Sequence, residues 1–335
     1  MRYEDAGVDI ERKAGAIKAA SAKIKATYTP EVLWGLGAFG GMLEVSRLKS
    51  LEQPVLVAST DGVGTKTLLA AQTGRWEGLG FDIVHHCIND LLVQGARPLF
   101  FLDYIASARL EPGVLEVVLG SLAQACQAAG IPLLGGETAE MPGVYRSGGL
   151  DLVGTIVGVV ERSGIVDGSR VEPGDALLAL PSSGLHTNGY SLARKVFAGW
   201  KLEEARPELG GMSLATALLE PHRSYLEPVS RLLDSGLEVR AMAHITGGGV
   251  YENLPRVLPQ GLGAEIYTGS WPIPPIFRLI QQAGQVELPE MFRVFNMGLG
   301  YLIVVRESDA AQALQRLGMG YRVGRVTAEA GVRVL

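Results

Sequence analysis

Ser59-Thr60-Asp61-Gly62-Val63-Gly64-Thr65-Lys66 is the stretch on which the reading of this chain turns. The apolar run Val55 to Ala58 before it reads as a buried strand. Thr67-Leu68-Leu69-Ala70-Ala71 after it reads as the start of a helix. A strand that turns through glycines into a helix gathers backbone N–H donors at the positive end of the helix dipole, which suits a phosphate. Lys66 adds a mobile positive charge. Asp61 suits a phosphate only through a cation, and Mg²⁺ takes one or two carboxylates together with phosphate oxygens. The spacing is not that of a P-loop, which needs Gly-Lys-Ser/Thr preceded by a glycine five residues earlier. The alternative is a tight turn with a surface lysine.

Outward from this turn, Phe81 to Gln94 reads as a helix with Ile83, Val84, Cys87, Ile88, Leu91 and Leu92 inward. Asn89 and Asp90 lie late in it. Asp90 lies beside the apolar stripe, where a carboxylate needs a partner or a metal. The alternative is a half-exposed Asp90 bonded to solvent or to His86. His85 and His86 point about 100° apart on a helix and read as structural. Upstream, Asp9 to Ala26 reads as a helix capped by Asp9, with Ile10, Ala14, Ile17 and Ile24 on one face and the character of a mobile arm. Gly35-Leu36-Gly37-Ala38-Phe39-Gly40-Gly41 reads as a glycine-rich flap over a ligand, or else a surface loop.

Downstream, Pro98 to Ala106 is a mostly apolar strand, Pro112 to Ala129 a helix and Ile131 to Leu134 a strand. That strand runs into Gly135-Gly136-Glu137-Thr138-Ala139-Glu140-Met141-Pro142-Gly143. Close backbone approach at the glycines, followed at once by acids, resembles an active-site edge. Leu150 to Glu161 is a long strand. Ser163 to Asp175 is polar with Gly and Pro and reads as a domain boundary. Beyond it, Ala176 to Leu180 delivers a polar loop containing Ser182, Ser183, His186 and Asn188, which suits a sugar phosphate. Glu220 to Ser235 reads as helix, and Leu237 to Ala243 as a strand ending at His244-Ile245-Thr246-Gly247-Gly248-Gly249, a third anion-type junction before a helix from Val250 to Val257. Phe292 to Val305 reads as a strand interrupted by glycines.

With 335 residues the chain accommodates two domains and a large core without disulfides. Lys plus Arg number 30 and Asp plus Glu 35, a formal charge of −5, which argues against a nucleic-acid surface as the main partner. Two cysteines, Cys87 and Cys126, fall in apolar helix-like segments, so a reducing cytoplasm is the natural setting. The N-terminus lacks the apolar core of a signal peptide, and no apolar run reaches membrane-spanning length. The 44 glycines, about twice the usual share, suggest tight turns and close backbone approach to ligand. Together these features suit an enzyme of a nucleoside triphosphate and a phosphorylated second substrate.

Asp61-Gly-Val-Gly-Thr-Lys66, Asn89-Asp90-Leu91, Pro98-Leu-Phe-Phe-Leu-Asp-Tyr104, Gly135-Gly-Glu-Thr-Ala-Glu-Met-Pro142, Asn188-Gly-Tyr-Ser191 and His244-Ile-Thr-Gly-Gly-Gly249 together resemble the phosphoribosylformylglycinamidine cyclo-ligase (aminoimidazole ribonucleotide synthetase) family. The match begins at Tyr3-Glu-Asp-Ala-Gly-Val-Asp-Ile10 and runs in order to the last strand. The resemblance implies an α/β fold of α+β type in two domains, 1–165 and 166–335. The N-terminal mixed sheets of two subunits would pair into a homodimer with a barrel-like interface, and ATP would bind near it. The implied reaction is ATP-dependent ring closure of formylglycinamidine ribonucleotide to aminoimidazole ribonucleotide, ADP and phosphate.

On this resemblance Mg²⁺ is assigned to Asp61, Asp90 and Glu137. The nucleotide is assigned to Gly37, Gly40, Gly41, Gly62, Gly64, Thr65, Lys66 and Asn89. The ribonucleotide is assigned to Gly136, Glu137, Thr138, Glu140, Ser182, Ser183, His186, Asn188, Thr246, Gly247 and Gly248. His244, His186 and Lys66 are the candidate catalytic groups. Two departures stand out. Ser21 occupies a position where some members carry a nucleotide-linked lysine, and Leu185-His186-Thr187 stands where relatives often have Pro-His-Ser. The competing readings are a related small-molecule kinase such as thiamine-monophosphate kinase, and a non-catalytic nucleotide-binding scaffold. Selenophosphate synthetase needs a reactive cysteine near the N-terminus, and none precedes Cys87. Formylglycinamidine synthase is much longer.

Overall fold

A computed structural model describes residues 10–335. The chain divides into two compact units. The first holds the described chain from residue 10 to Cys87 together with Arg97–Arg162, and the second holds Ile88–Ala96 together with Ser163–Leu335.

The first unit contains α1 (Ile10–Lys25), β1 (Val32–Trp34), β2 (Met42–Leu43), β3 (Pro54–Gly62), α2 (Lys66–Thr73), most of α3 (Leu79–Leu92), β4 (Arg97–Ser107), α4 (Pro112–Ala128), β5 (Leu133–Glu140) and β6 (Leu150–Glu161). Its sheet runs β3-β6-β4-β5. β3 and β4 pair antiparallel with β6, and β4 pairs parallel with β5, so the sheet is mixed. Alternation along β4 sends Phe101, Asp103 and Ile105 to the buried face. Ile83, Val84, Cys87, Ile88, Leu91 and Leu92 of α3 are all fully buried, as their spacing predicts. Gly154 of β6 leaves room for this packing, since a Cβ there would meet Phe101 and Ile83.

α1 departs from the expected stripe. Ala16, Ala20 and Ile24 are buried and Ile17 is half-buried, whereas Ala14 is exposed. The helix packs along α4, whose Gly120 meets the Lys23 stem, so small residues rather than large ones line the close approach. From Ala16 onward it is therefore a packed element rather than a mobile arm. The Asp9 cap lies outside the described residues. β5 also departs. It does not stop before Gly135 but continues through the glycines to Glu140, with Asp103 opposite Gly136 and Tyr104 opposite Glu137.

The second unit contains β7 (Ala176–Pro181), α5 (Tyr190–Val196), α6 (Leu214–Leu219), α7 (Leu226–Leu233), β8 (Val239–His244), α8 (Gly249–Asn253), β9 (Gly263–Ile266), α9 (Pro275–Gly284), α10 (Leu288–Val294), β10 (Leu299–Val305), α11 (Ala310–Leu317), β11 (Tyr321–Thr327) and β12 (Gly331–Val334). Its sheet runs β12-β9-β11-β7-β10-β8, antiparallel except between β12 and β9. β8 and β10 are buried at every position, which explains the continuous apolar run of β10, whereas in β8 the buried Arg240 is held by Asp175 at 2.9 Å.

Three expected elements change here. Helix α7 starts at Leu226 rather than Glu220. Pro221 disfavours helical backbone at Glu220, and residues 220–225 are irregular. The segment after Gly249 is one turn of α-helix followed by a 3-10 turn over Leu254–Val257, broken where Pro255 removes an N–H donor. Residues 292–305 are the end of α10, a turn and β10, and not one strand. Met297 and Gly298 both take positive φ in that turn.

Candidate active site

In the first unit the organising stretch is the end of β3, a turn and the start of α2. Gly64 takes φ +68°, where glycine carries no side-chain penalty, and its carbonyl accepts from the Thr67 N–H and hydroxyl. The turn spends donors on itself. Gly62 N–H donates to Asp61 Oδ1 at 2.6 Å, and Val63 N–H donates to Leu152 O at 2.9 Å. Asp61 is 46 % exposed, with His86 Nε2 2.9 Å from its Oδ2. His86 thus lies against Asp61 as well as near Asp90, the residue to which the sequence offered it as one alternative partner. Lys66 corrects a larger expectation. It is fully buried, and its Nζ lies 2.7 Å from Oδ1 of the equally buried Asp82. As placed here it is an interior ion pair, not a mobile phosphate ligand.

A cavity of about 200 Å³ opens beside β5, lined by Ile17, Ile24, Leu36, Leu119, Leu133, Asp103 and residues 135–138. Gly136 makes room for the Asp103 carboxyl, which a Cβ there would meet. Burial, opposed by a backbone hydrogen bond and reinforced by the Glu137 charge, pushes the Asp103 carboxyl up to about 7. The sequence read Asp103 only as part of an apolar strand, although alternation with Phe101 and Ile105 already placed it inward. Glu137 is exposed and accepts from Thr138 N–H. Glu140 instead accepts from Leu110 N–H and fixes the entry to α4, a structural task. Gly37, Gly40 and Gly41 lie in the loop joining β1 to β2. A Cβ at Gly41 would meet Leu134, so the hairpin passes close over the start of β5.

In the second unit Asn89 is not at a ligand surface. It is fully buried, accepts from Tyr225 N–H, and donates to Arg223 O at 2.8 Å. Asp90 is 29 % exposed and accepts from His244 Nδ1 at 2.7 Å. His244 Nε2 lies 3.1 Å from His222 Nε2, which is 3.2 Å from Asn89 Nδ2. Both nitrogens of the buried His244 thus face protein groups, leaving neither pointed at a substrate. His186 is buried at φ +62°, and its Nε2 accepts from Ser183 N–H. Its ring stacks on His222 at 3.9 Å and 19°. Two imidazoles bind one metal only if the ion lies near both ring planes, and stacked rings do not allow that. The three clustered histidines are therefore not a metal site in this arrangement.

The remaining loop residues separate into interior and surface sets. Ser182 donates to Asn296 and Ser183 to Pro221 O, so both hydroxyls hold the loop together. Asn188, Thr246, Gly247 and Gly248 are half-buried or exposed, and Asn188 Oδ1 lies beside Gly247, so these two loops do meet. Asn253, which the sequence reading passed over, donates from Nδ2 to the carbonyls of Gly247 and Gly249 and holds the triple-glycine turn from inside. α8 behind that turn has only five residues and offers little dipole. His222, 1 % exposed, was also missed, because the reading of 220–235 as one helix gave it no role.

Residues 45–160 match the family described as AIR synthase related protein, N-terminal domain, and residues 172–335 match its C-terminal domain. A phosphoribosylformylglycinamidine cyclo-ligase of Bifidobacterium animalis subsp. lactis is 46 % identical over 339 residues, covering 99 % of this chain and 98 % of that one. Its counterpart in Desulfitobacterium hafniense is 49 % identical over 307 residues, 92 % and 90 % of the two chains. Among solved structures, thiamine-monophosphate kinase from Stenotrophomonas maltophilia aligns with TM-score 0.67 at 21 % identity over 94 % and 95 % of the chains. The hydrogenase maturation protein HypE in complex with ATP aligns with TM-score 0.66 at 19 % identity over 91 % and 83 %. At those identities the structural likeness speaks to the fold alone. Identity near one half across both domains speaks to more: the chain belongs to the phosphoribosylformylglycinamidine cyclo-ligase family.

Proposed function

We propose that this chain closes the imidazole ring of formylglycinamidine ribonucleotide at the expense of ATP. The observation that carries this is 46–49 % identity to cyclo-ligases along nearly the whole chain. An amide oxygen is a poor leaving group. Transfer of the γ-phosphoryl of ATP to it releases ADP and makes it a good one. The ring nitrogen then attacks that carbon, and inorganic phosphate departs with the oxygen. Little covalent chemistry is asked of the protein, so positioning and charge neutralisation dominate.

The apolar cavity beside β5 is the candidate seat of the adenine ring. Asp103 lies in its wall as a carboxyl that burial keeps largely protonated below pH 7, able both to donate and to accept. Gly136, Glu137 and Thr138 then serve the nucleotide, and the loop carrying Gly37, Gly40 and Gly41 covers it. Mg²⁺, which neutralises phosphate charge when bound, would be held by carboxylates, and Asp61, Asp90 and Glu137 are the candidates. Their fit is of donor type: these are oxygens with exposed faces, as a hard cation requires. The Asn188 and Thr246–Gly248 loops are the candidate ribonucleotide contacts. His244 serves Asp90 rather than the substrate, which leaves proton transfer at ring closure to solvent or substrate groups.

The working unit proposed is a homodimer in the cytoplasm. β3 ends its sheet with nine residues of which none is buried, and Leu56 on it is 64 % exposed, which supports sheet pairing there. No helix among the described residues is long and apolar enough to cross a membrane.

The test is ADP release with Mg·ATP, with and without formylglycinamidine ribonucleotide, measured beside the aminoimidazole product. Equal amounts of ADP and product, only with that substrate, are expected. ADP without cyclised product would remove the substrate assignment and favour a kinase.

A further inference from the structure

His222 has no role in the reading so far, yet it sits where a chain of buried polar contacts ends. Its Nε2 lies 3.1 Å from His244 Nε2, and His244 Nδ1 lies 2.7 Å from Asp90 Oδ1. Asn89 Nδ2 approaches the same His222 nitrogen at 3.2 Å, and Thr187 Oγ1 faces the other at 3.5 Å. His186 stacks against the ring face. Asn89 cannot turn over to change this pattern. Its Oδ1 accepts from Tyr225 N–H and its Nδ2 donates to Arg223 O, the carbonyl next to His222. His222 is thus held on both nitrogens and one face, by groups that are themselves held.

We infer that His222 is a positioning residue that fixes the imidazole of His244 and, through it, the carboxylate of Asp90. A buried imidazole with contacts at both nitrogens keeps one ring orientation, and a carboxylate bonded to that imidazole loses rotamer freedom. Asp90 is nearly a third exposed, so the bond to His244 removes rotamers that the exposed carboxylate would otherwise sample. Asn89 belongs to the same device. Adjacent to Asp90 in α3, it ties the end of that helix to the segment bearing His222. Asn89-Asp90 together therefore give one residue to the inner scaffold and one to the ligand side. The inference rests on the reading that Asp90 helps hold Mg·nucleotide.

The experiment is calorimetric titration of Mg·ADP into the full-length protein, without ribonucleotide, for wild type and for Asp90→Asn, His244→Ala, His222→Ala and the double variant His222→Ala/His244→Ala. His222→Ala is expected to weaken binding roughly tenfold, as loss of an outer-shell partner typically does. The double variant should bind no more weakly than His244→Ala alone, because the two act in series. Additive losses would overturn the inference, as would unchanged binding in His222→Ala while Asp90→Asn weakens it. Unchanged binding in Asp90→Asn would remove the underlying reading instead. A second measurement needs no variant to fold. In wild-type protein, ¹⁵N–¹H spectra should show a His244 imidazole N–H protected from solvent exchange, and rapid exchange of that proton would overturn the series.

Discussion

At the scale of single residues the structure turns two polar side chains inward and gives each a measurable signature. Lys66 and Asp82 form a pair with no exposed surface on either side chain. Removing one member of such a pair strands the other charge, typically at a cost of about 3–5 kcal/mol. Lys66→Met should therefore lower stability by that order in denaturant titration, and Lys66→Met/Asp82→Leu should recover part of it. A Lys66→Met protein of unchanged stability and raised KM for ATP would restore the surface-lysine reading. Asp103 makes an opposite kind of prediction. Its carboxyl sits near 7 in the folded chain against about 3.9 unfolded, so the folded state holds the proton more tightly. That contribution is complete below pH 4 and is lost as pH rises through 7, on the order of 4 kcal/mol in all. Asp103→Asn should consequently raise Tm at pH 8 more than at pH 5 in ligand-free protein. Equal shifts at both pH values would show that the group ionises freely. Of these roles the sequence displayed only part. Alternation in β4 marks Asp103 as inward, but Lys66 follows a glycine turn that looks solvent-facing in one dimension.

Elements show where local signals suffice and where they fail. The 3.6-residue spacing in α3 named its buried face correctly, because the helix has one large apolar side to cover. In α1 it selected Ala14, which is exposed, since the partner helix admits alanines at 16 and 20 instead. β5 was cut short at Gly135-Gly136, where glycine reads as a strand end. In the sheet those glycines accommodate Asp103 and the cavity. Gly154 tests the same logic in β6. A Cβ there would press on Phe101 and Ile83, so Gly154→Ala should cost about 1–3 kcal/mol in urea unfolding, with the slope m unchanged. Stability within error of wild type would mean that the α3 side of the sheet is loosely packed.

For the whole molecule the proposed homodimer makes the sharpest claim. Among the described residues β3 pairs with a neighbour on one side only, and no residue along it is buried. Leu56→Arg would place a charge on a surface that sheet pairing must desolvate. Sedimentation should then give the mass of one 35.6 kDa chain where wild type gives twice that. A variant that still sediments as a dimer would place the interface elsewhere. The mixed sheet of the first unit was implied by the family resemblance. The assignment of residues 88–96 to the second unit was not, because no break in sequence marks it.

What the sequence by itself determined is the class of the protein: the strand–turn–helix stretch at 54–73, the acids behind it, and the ordered blocks that tie the chain to its family. Those signals are local or are matched position by position, so they survive without coordinates. Only the tertiary structure decided which of the polar residues are built into the scaffold. Asn89, Lys66, Ser182 and His244 all carry site-like chemistry in one dimension. In three dimensions each has its donors or acceptors taken by groups from 16 to 154 residues away. Long-range pairing of this kind follows from burial, where every polar atom must find a partner, and spacing along the chain does not encode it.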